Sequence, residues 1–351
     1  MIHWRSGTVI SVGRSWNGAL EVDISVEGVT VRGLAYPAMV GTPIVGDRVL
    51  LNVNALSLGL GTGGYAMVVA LPDRLPPDGR FTGHAVKARY TPLQAVVLAA
   101  DEEASPLRGE LSAADDLAGA PVVVADLHSA LPAVLAGVLA TRPSTRVAYV
   151  MTDGGALPAW FSRTLSALRP LLVGTVTTGQ AFGGDLEATN LHAGLLAAVA
   201  GLRAEVTVVA QGPGNLGTGT AWGFSGVDAG EAVNAVGALG GRPVASLRIS
   251  DADPRPRHRG VSHHSLTAYG RVALSPADLE IPAGLDPALG VTEALKPLTS
   301  LHRVVEIPVG GLDEALRALP VKLSTMGRGL DADHAYFLSA AAAGRHAALL
   351  L

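Results

Sequence analysis

No cysteine occurs in the 351 residues, which excludes disulfides, thiolate nucleophiles and thiolate-bound zinc or iron–sulfur clusters. Any metal held by this chain is therefore held by His, Asp or Glu. Aromatic residues make up only 4 % and charged residues 16 %, so neither an aromatic-studded nor a strongly charged recognition surface is available. Lysine is scarce, with arginine standing in its place almost everywhere. The net charge is −4 and no long basic face compensates it, so neither nucleic acid nor anionic membrane is expected as a partner. The most apolar runs, LPAVLAGVLA and LHAGLLAAVAGL, fall short of the roughly 18–20 residues a membrane span needs. The opening MIHWRSGTVISVG lacks the basic and apolar regions of a signal peptide, and a cytoplasmic location is expected.

What is present is apolar and turn-rich: 48 % hydrophobic residues, Gly 43 and Pro 22. That composition describes an ordered protein with a large core and many tight turns. The length favours more than one domain. Residues 1–71 read as all-β, with the runs GTVISV, LEVDISV, VTVRGLAY, DRVLLNV and YAMVVAL separated by turn residues. Asn17-Gly18 and Glu27-Gly28 suit two-residue hairpins. A small SH3- or OB-like barrel is expected, and the glycine-rich stretch 58–65 reads as a bulge or a close backbone contact. Residues 72–92 form a proline-rich connector.

Residues 93–351 alternate strand-like and helix-like runs. Strands are expected at 95–101, 121–126, 146–152, 171–177, 204–210, 243–249, 271–275, 302–308 and 321–325. Ala- and Leu-rich helical segments separate most of them, and a capped helix ends the chain. Near-continuous apolar strands between helices indicate a doubly wound, mostly parallel sheet, so the fold class is α/β. Polar, glycine-rich stretches repeatedly follow the strands and none of comparable character precedes them. In such a fold ligands bind outside the carboxyl ends of the strands, so these loops are expected to share one functional edge.

The densest concentration of chemistry is VASLRISDADPRPRHRGVSHHSLTAY, residues 244–269. Pro254 and Pro256 fix their own φ and push Asp253 and Arg255 toward extended geometry. An extended period would place Asp251, Asp253, Arg255, Arg257 and Arg259 on one side and His258 on the other. Gly260 permits a tight turn, and Ser262 suits the N-cap of a helix starting at His263-His264. The positive end of that helix opposes protonation of both imidazoles. Adjacent helical residues diverge by about 100°, so one ring is expected to act directly and the other to support it.

The other motifs are less specific. Gly212-Pro213-Gly214-Asn215-Leu216-Gly217 matches G-x-G-x-x-G, but no clean helix follows and no acidic residue ends a strand at the expected distance. A cradle for an anion, using backbone amides at Gly212, Gly214 and Gly217, or a merely tight loop, are the readings it allows. Asp126-Leu127-His128 follows a strand, so Asp126 and His128 are candidate metal ligands or an acid–base pair. Asp153 and Asp185 lie after strands and suit ligand-facing carboxylates. No G-x-S-x-G elbow or Walker loop is present.

RHRGVSHH (257–264), GHAVKARYTPLQ (83–94), TDGGALP (152–158) and GPGNLGTGT (212–220) resemble segments of an uncharacterised, mainly actinobacterial family classed as a domain of unknown function. The resemblance spans nearly the whole chain and implies no activity, substrate or cofactor.

The residues themselves point to an enzyme acting on a small anionic metabolite, phosphorylated ones included, by metal-assisted hydrolysis. His258, His263, Asp251 and Asp153 are the catalytic candidates. Asp185, Asp251 and His263 are the candidate ligands of a divalent metal. Gly212, Gly214, Gly217, Arg257 and Arg259 are the candidate anion-binding residues. The alternatives are a non-catalytic module binding a nucleotide or phosphometabolite, and a structural protein in which this loop is an interface. A homo-oligomer is expected.

Overall fold

The structure, a computed structural model, describes residues 1–59 and 64–351. Of the stretch 58–65, residues 60–63 lie outside the described residues. Strands β1 (Trp4–Trp16), β2 (Ala19–Val26), β3 (Val29–Ala35), β4 (Arg48–Asn52) and β5 (Ala66–Ala70) close into a barrel in the order β1-β2-β3-β5-β4. The pair β3–β5 is parallel and the others are antiparallel, which is Greek-key, OB-type connectivity. Both expected hairpins form: Trp16 pairs with Ala19 and Val26 with Val29. Glu27 and Gly28 both have positive φ, as a two-residue hairpin that follows strand twist requires. Alternation along β2 puts Val22, Ile24 and Val26 in the barrel core.

The chain forms two compact units, Met1–Val97 with Trp160–Ser166, and Leu98–Ala159 with Ala167–Leu351. Within the first, β6 (Ala85–Lys87) pairs antiparallel with β7 (Ala95–Val97). The strand expected at 95–101 is split: residues 95–97 belong to this hairpin, and Ala99 makes a single parallel bridge to Glu187 at the edge of the large sheet. The segment 160–166 docks on the β1–β2 hairpin, where Trp16 Nε1 donates to Trp160 O at 2.6 Å. A side chain on Gly18 would meet the Trp160 ring at 2.3 Å, so Gly18 serves both the turn and this contact.

The second unit is built on an eight-stranded sheet. Its strands are β8 (Pro121–Ala125), β9 (Val147–Thr152), β10 (Gly174–Thr177), β11 (Leu186–Glu187), β12 (Val206–Gln211), β13 (Arg242–Ser246), β16 (Asp278–Pro282) and β17 (Arg303–Ile307). A separate two-stranded ladder, β14 (Ile249–Ser250) with β15 (Gly260–Val261), stands between β13 and β16 in the chain. The sheet order is β11-β10-β9-β12-β8-β13-β16-β17, and every pair is parallel. All carboxyl ends therefore share one edge. The chain starts at β8, runs outward to β11, returns to β12 beside β8, and then runs outward the other way from β13. The switch point lies at β12-β8-β13, where such folds place their ligands. All five residues of β8 are buried. Val122 and Val124 join the core that contains Val233 and Val236 of the helix Asp228–Ala238. Elsewhere the helices Leu131–Thr141 and His334–Leu349 cross closely, since a Cβ on Gly137 or Gly344 would strike the backbone of the other helix at 1.9 Å. No helix among the described residues is long and apolar enough to cross a membrane.

Two expected strands are absent. Residues 271–275 follow from a π-type turn, Ala268–Val272, that continues the helix His263–Thr267. Tyr269 anchors this turn by donating to Val124 O at 2.9 Å, and a short apolar run suits a buried helix as well as a strand. Residues 321–325 carry only the bridge Thr325–Arg328. Conversely, β16 is a strand that the sequence pattern concealed. Its Asp278 and Glu280 look like loop residues, yet Glu280 is buried and Asp278 is neutralised by Arg303 at 2.7 Å.

Candidate metal centre

The segment after β13 does not stay extended. Arg255 has the β geometry that Pro256 imposes, but Pro256–His258 then turn into a 3-10 helix. That turn breaks the expected period of two. Asp253, not Asp251, organises the loop. Its carboxylate accepts from Arg255 N (3.0 Å), Nε (2.9 Å) and Nη2 (2.8 Å), and from Arg328 Nη2 (3.1 Å). These bonds, led by those from Arg255, hold the Asp253 carboxyl well below the usual carboxylate range. Ser250 Oγ donates to Asp333 Oδ1 at 2.8 Å, and Arg328 Nε to Asp333 Oδ2 at 2.8 Å. The neck of the loop is tied by β14 and β15. At Gly260 φ is +66 and a Cβ would lie 2.3 Å from Leu289 O, so only glycine fits there.

This frame delivers three imidazoles to one place. Ser262 caps the helix as expected, its Oγ accepting from His264 N at 3.2 Å. His258 Nδ1 lies 2.7 Å from the same hydroxyl, leaving Nε2 as the ring nitrogen available to a ligand. The ring centroids of His258, His263 and His264 are 4.4–4.8 Å apart. One ligand nitrogen from each lies within 4.8 Å of the others, the one group of three or more His, Asp or Glu among the described residues that could hold a metal. Phe224 stacks on His264 at 3.8 Å with parallel planes and fixes that ring. Two of the nitrogens, His263 Nε2 and His264 Nδ1, are buried without a hydrogen-bond partner. An unsatisfied buried polar group costs about 1–3 kcal/mol, so the sequence carries this cluster at a cost to stability.

All three rings are held neutral. Burial, with Arg248 and Arg255 next, pulls His258 down to about 3. Burial and then His263 and Arg248 pull His264 down to about 3. His263 is lowered by burial and then by Arg257. The cause is therefore chiefly desolvation and arginine charge. Neutral imidazoles are the ligand form. Three neutral imidazole nitrogens are a donor set that would suit a zinc-like divalent ion.

Around the cluster stand groups of the switch point. Arg248 is 3 % exposed. Its guanidinium makes one long bond, Nη2 to Asp253 Oδ2 at 3.4 Å, and its charge acts on all three imidazoles and on Asp126. Asp126, just past β8, is buried with Oδ2 unpartnered, and burial, opposed by Arg248, pushes it up to about 6. The neighbouring His128 is pulled down to about 4 by burial, and its Nδ1 lies 3.0 Å from Tyr149 Oη.

The structure brings His258 and His263 together and adds His264, which converges with its neighbour although adjacent helical residues diverge. His258 enters from the loop and the pair sits in the first turn, so backbone direction does not separate the rings. Asp185 and Asp251 do not join the cluster. Asp185 accepts from Arg169 Nη2 (2.7 Å) and Thr175 N (2.9 Å), and opens β11 instead of following a strand end. Asp251 is exposed. Asp153 is exposed and accepts from Gln180 N at 2.7 Å. Arg257 and Arg259 are exposed, and Arg257 Nη2 lies 3.8 Å from the Cβ position of Gly219, beside the glycine loop.

Gly212 of that loop has a packing reason, and Gly214 a conformational one. A Cβ on Gly212 would lie 2.3 Å from Ala156 O, and one on Gly155 would lie 2.1 Å from Gly212 O. Gly212 N donates to Thr152 O at 3.3 Å, so that amide already has an acceptor. Gly214 has φ +96, and the Cβ position of Gly217 is 4.0 Å from His264 Cε1. The loop thus walls the imidazole cluster. Arg248 was the residue hardest to single out from sequence. Its only signal is one charged residue interrupting the apolar run VASLRI.

No curated protein and no solved structure matches this chain. One family model does, over residues 32–344, which is most of the length, and the chain accordingly belongs to the family described as Protein of unknown function (DUF3866).

Proposed function

We propose that this protein is a metal-dependent enzyme acting on a small anionic substrate, with metal-assisted hydrolysis as the reaction class. The observation that carries this reading is the convergence of three neutral imidazoles, two with unpartnered buried nitrogens, at the switch point of a parallel sheet. His258, His263 and His264 would hold a divalent ion, which would supply Lewis acidity toward a water and a substrate oxygen. Arg248 and Arg257, whose charges act on the cluster, supply attraction for an anion. Asp126, with its carboxyl near 6, is suited to exchanging a proton near neutral pH.

The test has two arms. Protein purified without added metal is analysed by elemental mass spectrometry, and stripped protein is titrated calorimetrically with Zn²⁺, Mn²⁺ and Co²⁺. One equivalent bound by wild type and lost in His264→Ala supports the centre. Loaded protein is then assayed against phosphate esters, lactones and amides of small acids. Stoichiometric metal without turnover would favour a metal-holding binding module. Absence of metal and affinity weaker than millimolar would defeat the centre itself.

A further inference from the structure

Between β12 and the helix Asp228–Ala238 the chain folds residues 216–225 into a small hairpin at the same edge. Gly217 and Phe224 pair as an antiparallel bridge. Thr218 N donates to Gly223 O at 2.7 Å and Ser225 N to Leu216 O at 2.9 Å. Gly223 N donates to Thr220 Oγ1 at 3.0 Å, so the hairpin is ordered by its own bonds. Its base touches the imidazole cluster, with Phe224 stacked on His264 and the Cβ position of Gly217 4.0 Å from His264 Cε1. Its outer part turns apolar groups to solvent, Leu216 at 70 % exposure and Trp222 at 51 %. An ordered loop that walls a candidate site and exposes an indole calls for a partner of that indole.

Two arginines flank this outer part. Arg271, in the turn Ala268–Val272, lies over the Trp222 ring with Cζ 4.2 Å from the centroid. Arg257 Nη2 comes within 3.8 Å of the Cβ position of Gly219, and of all charges its own acts most on His263. Both side chains are exposed, and neither is paired with a carboxylate among the described residues. A guanidinium covering one face of the indole leaves the opposite face and the edge as its exposed half. Such a face takes a second planar ring by stacking, and the cation behind it adds to the attraction. We infer that Trp222 is a specificity-determining residue that stacks on a planar ring of the substrate, whose anionic group Arg257 holds. That this ligand is the substrate rests on the function proposed above, and the small anion is thereby narrowed to one bearing an aryl or nucleobase ring. Three residues of chain separate Gly219 from Trp222, a span of at most about 11 Å, so both contacts fall within reach of one small molecule.

The test is calorimetric titration of the metal-stripped full chain with pairs of anions that differ by the ring: phenyl phosphate and methyl phosphate, benzoate and acetate, AMP and ribose 5-phosphate. The ring-bearing member of at least one pair should bind at least about 5-fold tighter. The pair that shows this tells a nucleobase from an aryl group and a phosphate from a carboxylate. Trp222→Ala should erase the preference while the ringless member stays within about 2-fold, and Trp222→Phe should keep it. Arg257→Gln should weaken both members alike. Since no metal is present, the outcome is separable from the metal titrations. A chain that binds no metal yet keeps the ring preference would defeat the centre and leave Trp222 as a ligand contact. No difference within any pair, or affinity weaker than about 10 mM for every anion, would overturn the inference. So would equal losses for both members in Trp222→Ala, the result expected if the indole only packs the hairpin.

Discussion

Two polar clusters stand at opposite ends of the same parallel sheet, one partly exposed and one buried. At the amino ends, Asp278 of β16 accepts from Arg303 Nε at 2.7 Å and lies 2.7 Å from His346 Nε2. At the carboxyl ends, His263 Nε2, His264 Nδ1, Asp126 Oδ2 and Gln211 Oε1 have no partner. Both clusters contain histidine and aspartate, so residue type does not distinguish them. Completeness does. A satisfied network joins elements of the fold, here two strands and the C-terminal helix. An unsatisfied one lowers stability and is explained by a ligand that completes it. The segment 250–264 contains both kinds: Asp253 is saturated with arginine donors and holds the frame, and His263 and His264 have nitrogens left open.

The largest effect that would break this contrast is expected at Asp253. Asp253→Ala leaves Arg248 buried without its acceptor, and removal of one partner from a buried ion pair costs about 3–5 kcal/mol. Urea unfolding should show a loss of that order, and a loss under about 1 kcal/mol would mean the frame is not what orders the loop. The imidazoles should behave in the opposite way. His263→Ala removes a nitrogen with no hydrogen bond, so stability should change by no more than about 1 kcal/mol. Divalent metal affinity should fall by about 100-fold or more in the same protein. A clearly lower melting temperature with unchanged metal binding would return His263 to the architecture.

Asp278→Asn sharpens the comparison from the other end of the sheet. It removes the charge that Arg303 and His346 share, and should lower stability by roughly 1–3 kcal/mol while leaving metal affinity at the imidazole cluster unchanged. Loss of metal binding there would show that the two ends are coupled. A smaller loss of metal affinity than at His263 is expected at Ser262, which belongs to both kinds of network. Ser262→Ala removes the helix cap, for about 1 kcal/mol. It also removes the partner of His258 Nδ1, so metal affinity should fall about 10–100-fold. Calorimetry of this variant that shows only the cap effect would take Ser262 out of the centre.

Much of the barrel and most strands of the sheet were legible because their signals are local. Asn17-Gly18 and Glu27-Gly28 ask for tight hairpins, and 121–126 and 204–210 are too uniformly apolar for an exposed strand. Within the site, Ser262 as cap, Gly260 as turn and the effect of Pro256 on Arg255 followed from backbone preference alone. The misread stretches are those where local preference is weak or reversed. Residues 271–275 suit helix or strand equally, and the anchoring of Tyr269 on Val124 and Ser246 decides for the helix side. β16 carries carboxylates that only a neighbouring strand and the C-terminal helix make tolerable.

The sequence by itself determined that any metal here is held without thiolate, that a parallel sheet gathers its polar loops at one edge, and that residues 257–264 form a loop ending in a capped helix. These follow from composition, periodicity and φ restriction, each a property of a few adjacent residues. Tertiary structure alone decided which groups meet. It turned Asp253 inward instead of Asp251, drew His264 beside His258 and His263, left Asp185 on Arg169, and brought Arg248 and Asp126 to the same edge. Such convergence depends on the order in which strands join the sheet and on which hydrogen bonds remain unfilled once it has packed. Neither is encoded in any short segment.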